Sequence, residues 1–263
     1  MKFLFSTGCL YELPIEEIFH VAREAGFDGC ELVVGSHFNN DRYIDRIKAC
    51  TEILPVYTLH APFVQIKAWG SKINALKQTI ELAASLGAEV VTFHPPSWLA
   101  IEINFYQWFK KTEDFQKELG LSHMFLAIEN MPRMGKFRKF SHYLLSDIEY
   151  LISFGIGRNL YFTFDITHMA TFEDDTIASL LRIFKTGRLK NIHISDYSNY
   201  RSHLFPGRGD LPIAKLLNTL RQVGYDGMLT LEVSPRELPK TKELLVKMAN
   251  FQLSYLKLHT GRS

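Results

Sequence analysis

Short apolar runs alternate with segments of helical periodicity from one end of the chain to the other. The runs predict strands near residues 2–7, 28–34, 55–60, 88–94, 123–129, 160–165, 189–195 and 227–233. Helices are predicted between them near 14–25, 40–53, 71–87, 105–119, 145–154, 174–186, 212–223 and 237–258. Some boundaries carry explicit punctuation. Pro14 with Glu16 and Glu17 starts a first helix that Gly26 stops, and Ile73, Leu76, Ile80 and Ala83 recur at the helical period before Gly87.

Two segments repeat in kind. Ala25-Gly26-Phe27-Asp28-Gly29 enters the second strand and Val223-Gly224-Tyr225-Asp226-Gly227 enters the eighth, each a helix stop, an aromatic plug and an Asp-Gly turn. Eight strand-helix units without a linker or low-complexity tract predict an α/β chain folded as one closed (β/α)8 TIM barrel over residues 1–263. An open doubly wound sheet is the competing arrangement. It lacks its usual signature, because Ser6-Thr7-Gly8-Cys9 follows the first strand where a G-x-G-x-x-G turn would stand.

Composition narrows the partners. The 263 residues are 46% hydrophobic and 22% charged, enough for a large core and against disorder. A net charge of +2 supplies no global field for nucleic acid or an acidic membrane, so a small molecule is the expected partner. Cys9, Cys30 and Cys50 form no C-x-x-C pair and cannot all be bridged, which suits a reducing, cytoplasmic setting. The apolar part of MKFLFSTGC, Phe3 to Phe5, is shorter than the ~7–15 residues of a signal core, so it is read as a strand. No apolar run approaches the ~20 residues of a membrane span, and no membrane partner is expected.

The candidate chemistry lies at the strand ends. VYTLH, VVTFH, MFLAIE, LYFTFD, LKNIH and MLTLE close, or nearly close, on His60, His94, Glu129, Asp165, His193 and Glu232, with His168 and His203 nearby. One such residue is ordinarily a satisfied polar group at a barrel rim; six delivered to one face form a ligand set. Imidazole mixed with carboxylate and without thiolate suits a catalytic zinc, manganese, iron or cobalt ion rather than calcium or a structural zinc. His20, His37, His123, His142 and His259 fall on helices or connections and are read as ordinary polar residues.

In this arrangement LHAPF, FHPP, IENMP, FDITH, IHISDY, HLFPGRGDLP and LTLEV resemble the motifs of the xylose-isomerase-like barrel superfamily, which includes sugar isomerases and epimerases and the abasic-site nuclease endonuclease IV. The resemblance runs from GFDGCEL to LTLEV, nearly the whole chain. It implies a first ion on His60, His94 and Glu129 and a second on Glu129, Asp165, His193 and Glu232. The implied cofactor is therefore one or two divalent ions, zinc, manganese or cobalt. In endonuclease IV a third ion uses the counterpart of His168 and a D-x-H pair; here that pair reads Arg201-Ser202-His203, and arginine offers no lone pair to a metal.

The resulting expectation is an isomerase or epimerase of a sugar, sugar phosphate or related keto-polyol working through a metal-stabilised enediolate, with Glu129 and Glu232 as acid and base. His168 and His203 are expected on substrate hydroxyls, and Asp196 behind His193, on a hydroxyl, or as a strand-end acid capping the next turn. Arg208, with the basic run Arg133–Lys139, is read as an anion contact or a solvated face. Phe63, Trp69, Trp98, Tyr197, Tyr200 and Phe205 are expected as stacking or lid aromatics. The alternatives are an abasic-site phosphodiesterase acting on DNA and a non-catalytic ligand-binding barrel.

Overall fold

The computed structural model describes residues 1–98, 102–133 and 140–262. Seven parallel strands come first: β1 Lys2–Ser6, β2 Gly29–Val33, β3 Val56–His60, β4 Val90–Phe93, β5 Phe125–Glu129, β6 Tyr161–Asp165 and β7 Leu189–Ile194. A hairpin of β8 Asp196–Ser198 and β9 Arg201–Leu204 interrupts the alternation, and β10 Met228–Leu231 completes the barrel. The strand order β1-β10-β7-β6-β5-β4-β3-β2 closes on itself, so the expected barrel replaces the open sheet.

Helices α1 Ile15–Ala25, α2 Asp41–Cys50, α3 Lys72–Leu86, α4 Ile103–Lys111, α5 Phe115–Glu118, α6 Ile148–Gly157, α7 Ile166–Ala170, α8 Thr176–Phe184, α9 Ile213–Gln222 and α10 Lys242–Thr260 flank the strands. Their boundaries follow local chemistry. Gly26, at φ 91°, takes the left-handed position after α1, and its N–H donates to the carbonyls of Ala22 and Arg23. The helix expected over 105–119 is divided, because Thr112 is extended and Asp114 caps a new turn by accepting from Lys117 N at 3.0 Å.

Alternation along each strand sorts the side chains into two layers. Outward residues such as Phe5, Leu32, Phe93, Ile128, Phe164 and Ile192 join the helices in the main apolar core. Inward residues of the strand starts, Leu4, Val90, Ala127 and Met228, form a small second cluster that plugs the barrel interior. Two residues further along, the inward positions turn polar: Thr92 and Thr163 hydrogen-bond at 2.7 Å, and the Thr230 hydroxyl donates to Asn191 Oδ1 at 2.8 Å. Two more residues along lie the strand ends and the donor side chains. A period of two thus carries β4 from Val90 through Thr92 to His94 and β10 from Met228 through Thr230 to Glu232, while in β5 Ala127 is followed at the next inward position by Glu129.

Candidate functional site

The carboxyl ends of the strands bring the expected donors together. His60, Glu129 and Asp165 close β3, β5 and β6, His193 is the penultimate residue of β7, and His94 and Glu232 follow β4 and β10 directly. One ligand atom each from His60, His94 and Glu129 lies within 4.8 Å of the others, and the same holds for Glu129, Asp165, His193 and Glu232. Glu129 stands between the groups. Its Oε2 is 3.0 Å from His60 Nε2 and 3.2 Å from His94 Nε2, while its Oε1 is 3.2 Å from His168 Nδ1 and 3.4 Å from His193 Nδ1.

Hydrogen bonds behind the site aim these atoms inward. His60 Nδ1 bonds the Ala61 carbonyl at 2.8 Å, leaving Nε2 toward Glu129. Asp165 Oδ1 accepts from the Thr167 hydroxyl at 2.9 Å and from His168 N at 2.7 Å, which turns Oδ2 into the cluster. Asp165 Oδ2, His193 Nδ1 and Glu232 Oε2 are buried without a hydrogen-bond partner. His193 Nδ1 approaches Glu232 Oε2 to 2.9 Å, but as a charge contact without hydrogen-bond geometry. Unpartnered acceptor atoms converging in a buried space are what a divalent cation satisfies, so this donor set fits one.

The charges respond to that crowding. Burial opposes ionisation of Glu129, yet His193 and the other imidazoles around it hold its carboxyl well below the ordinary range. Glu232 is likewise favoured by burial to stay neutral and is pulled below the ordinary range by His193. Burial disfavours a charged His193 ring, but Glu31, Glu232 and Glu129 raise it well above its usual value. His168 is raised to about 9, Asp165 and Glu129 overcoming its burial, whereas burial drives His94 down to about 4. Protons on His193 and His168 balance the carboxylates of the metal-free protein, and an ion on His193 competes with one of those protons.

The comparisons with known proteins fit this geometry. The family model described as xylose isomerase-like TIM barrel matches residues 19–251. The chain belongs to that family. An uncharacterized protein of Mycobacterium leprae is 28% identical over 287 aligned positions, covering 97% of this xylose isomerase-like barrel and 98% of the relative. A solved D-tagatose 3-epimerase-like protein is 22% identical with a TM-score of 0.72, covering 99% of each chain. The structure of IolI protein with a bound zinc atom is 16% identical, has a TM-score of 0.74, and covers 98% of this chain and 99% of its own. Similar solved barrels include both sugar epimerases and family 2 AP endonucleases, likenesses that concern the fold.

Other expected residues of this xylose isomerase-like chain are placed differently. Asp196 does not reach His193. Its Oδ1 accepts from the N–H groups of Tyr197 and Leu211, and its Oδ2 from those of Gly207 and Gly209, so it anchors the loop after β9. A side chain at Gly209 would collide with that carboxylate. Arg208 turns to Glu237 Oε2 at 3.5 Å and Arg201 to Glu237 Oε1 at 2.7 Å, both from the exposed rim.

His168 and His203 nevertheless meet. With Asp165 they form a third group of possible ligand atoms within 4.8 Å, in spite of arginine at 201. The hairpin delivers His203, through a two-residue turn in which Asn199 and Tyr200 both have positive φ, 49° and 66°. Of the aromatics, Trp69, Tyr197 and Phe205 are buried packing residues, while Phe63 lies exposed over the site with its ring 6.2 Å from that of His94. Within the basic run, Arg133 bonds the Ser146 carbonyl and covers Phe172; residues 134–139 lie outside the described residues.

Two side chains that the sequence reading passed over organise the site. Glu31, wholly buried on β2, accepts from His193 Nε2 and from Asn191 Nδ2, each at 3.0 Å. It takes the place expected for Asp196, fixing the imidazole so that Nδ1 faces the carboxylates. Asn130 clips β5 to β6, donating to the Asp165 carbonyl at 2.9 Å and accepting from Asp165 N at 2.8 Å. An acid in the middle of the apolar run GCELV was the available signal for Glu31.

Proposed function

We propose that this chain is a metal-dependent isomerase or epimerase of a sugar, sugar phosphate or related keto-polyol. The observation that carries the reading is the convergence of Glu129, Asp165, His193 and Glu232 on one point, with Asp165 Oδ2, His193 Nδ1 and Glu232 Oε2 left without a hydrogen-bond partner. The similar solved epimerases, and the zinc bound in the similar IolI protein, support it. The four residues would hold one divalent ion, with His60 and His94 joining Glu129 at a second position. A bound ion supplies the positive charge that acidifies a C–H beside a carbonyl.

Proton transfer falls to the two glutamates. Glu129 on β5 and Glu232 after β10 come from strands separated by β6 and β7 in the barrel order, and both reach His193 Nδ1, at 3.4 and 2.9 Å. Substrate held between them presents opposite faces of one carbon to the two carboxylates. One ionised carboxylate takes the C–H proton; return of a proton by the other glutamic acid on the opposite face inverts the centre, and return to the neighbouring carbon shifts the carbonyl. Both carboxyls are held ionised in the metal-free protein, so either can begin as the base, and the other must first take up a proton from solvent before it can return one to carbon. His168 and His203 stand ready to hydrogen-bond substrate hydroxyls.

The third donor group, Asp165 with His168 and His203, favours a second reading as an abasic-site phosphodiesterase. One competition assay separates the two. Protein loaded with zinc, manganese or cobalt is given a ketose panel and, in parallel, an abasic-site oligonucleotide. Metal-dependent conversion of a ketose without cleavage is the expected result. Cleavage with no ketose converted overturns the isomerase reading.

A further inference from the structure

A cavity of about 500 Å³ opens directly beside Glu232 and His203, between the ends of β1, β2 and β10. That volume lies within the ~300–1,000 Å³ typical of pockets that bury drug-sized ligands. Ile15, Ile18, Val33, Val34, Phe38 and Phe63 build much of its wall, with hydroxyls and imidazoles interspersed. A second cavity shares Tyr11, Ile15, Ser36, His37 and Tyr43 with it and leads outward past α2, so the space continues beyond the barrel mouth. A ligand anchored at Glu232 thus has a largely apolar pocket beside it, which turns polar only in the outward continuation, where Glu12, Asn39, Asn40, Arg42 and Arg46 stand.

The charge inventory argues against phosphate there. No lysine or arginine lines the cavity among the described residues. Arg42 and Arg46 line only the outward continuation, which does not include Glu232, and Arg46 is paired with Glu16 at 2.6 Å; at the rim Arg201 and Arg208 face Glu237. Buried phosphate demands charge-assisted donors, and a wall of valine, isoleucine and phenylalanine beside Glu232 offers none. The same wall gains free energy by covering alkyl or aryl surface.

We propose that the substrate is an unphosphorylated keto-polyol bearing an apolar substituent, with that substituent lying in this cavity while the hydroxy-ketone end meets Glu129 and Glu232. This rests on the isomerase reading for the hydroxy-ketone end alone. The apolar arm is recognised by the cavity whatever reaction follows.

The test uses one ketohexose in three forms: unmodified, as its phosphate monoester, and as its benzyl ether. Binding to the zinc-loaded protein is measured by calorimetry, and C–H exchange with deuterated water by NMR. The benzyl ether is expected to bind about tenfold more tightly than the unmodified sugar, as burial of an aromatic ring warrants. Tighter binding of the phosphate, or equal affinity of ether and free sugar, overturns the proposal. Exchange confined to the phosphate also overturns it while leaving the isomerase reading intact; tight ether binding without exchange does the reverse. A variant gives an independent reading. Gly35 lines the cavity at an extended φ of −141°, and a Cβ there meets nothing within 4 Å. Gly35→Trp is expected to lower affinity for the benzyl ether about tenfold, and unchanged affinity would show that the arm lies elsewhere.

Discussion

At the scale of single residues, the side chains that meet at the barrel mouth were legible where a polar residue ended an apolar strand. His60, Glu129 and Asp165 occupy that position literally. Glu31 was not legible, because a mid-strand acid declares its role only when the barrel closes and brings β2 opposite His193. For Asp196 the sequence left a partner behind His193 and a turn cap both open, because spacing says nothing of a loop that folds back to donate the N–H groups of Gly207, Gly209 and Leu211 to the carboxylate. Replacing Glu31 by leucine removes the acceptor that fixes His193 and is expected to weaken zinc binding about 10–100-fold, read by chelator competition. Restoration toward wild type by Glu31→Gln, which keeps an acceptor, separates aiming of the ring from general damage to the core.

His168 gives a pH prediction for the metal-free protein. Its folded value, about 9, lies above the ordinary 6.5, so its stabilising contribution is complete below pH 6.5 and is lost as pH rises through about 9. Denaturant unfolding of chelator-treated protein should therefore show stability falling between pH 6.5 and 9, with a flatter profile in His168→Asn. An identical slope in the variant would remove His168 from the account.

At the scale of elements, the eight barrel strands were readable to within a few residues because they are short, largely apolar runs set between turn residues. The helices were less so. Asp114 restarts a helix that apolar periodicity alone runs through, and Asp147 rather than the predicted position 145 sets the start of α6 by accepting from Tyr150 N at 2.9 Å. The β8–β9 hairpin escaped notice since its turn uses Asn199-Tyr200, and tyrosine is an unusual occupant of the left-handed region. Helix-on-strand packing also yields a prediction. A Cβ added at Gly155 of α6 would lie 2.5 Å from the buried Phe162 ring of β6, so Gly155→Ala should cost about 1–3 kcal/mol of stability by thermal or denaturant unfolding. A variant as stable as wild type would mean that α6 stands further from β6 than the fold places it.

At the scale of the whole molecule, eight repeating units foretold closure, and closure is what makes six dispersed residues into a site. Strands far apart in sequence, β3 and β10 among them, aim side chains at one mouth because the barrel gives them a common axis. The apolar cavity beside that mouth was not legible, since it is assembled from α1, the end of β2 and the segment after β10, none of which announces a pocket alone. Among the described residues no helix is long and apolar enough to cross a membrane.

The central claim is that Glu129 and Glu232 move a proton at a carbon beside a carbonyl within a metal site. Deuterium incorporation from solvent into a converted ketose, followed by NMR for metal-loaded protein, chelated protein and the Glu129→Gln and Glu232→Gln variants, tests it most directly. The account predicts incorporation by the metal-loaded wild type alone, with at least about a hundredfold loss in each variant, the scale of removing a general acid or base. Conversion without deuterium incorporation, or undiminished incorporation by both variants, would contradict it.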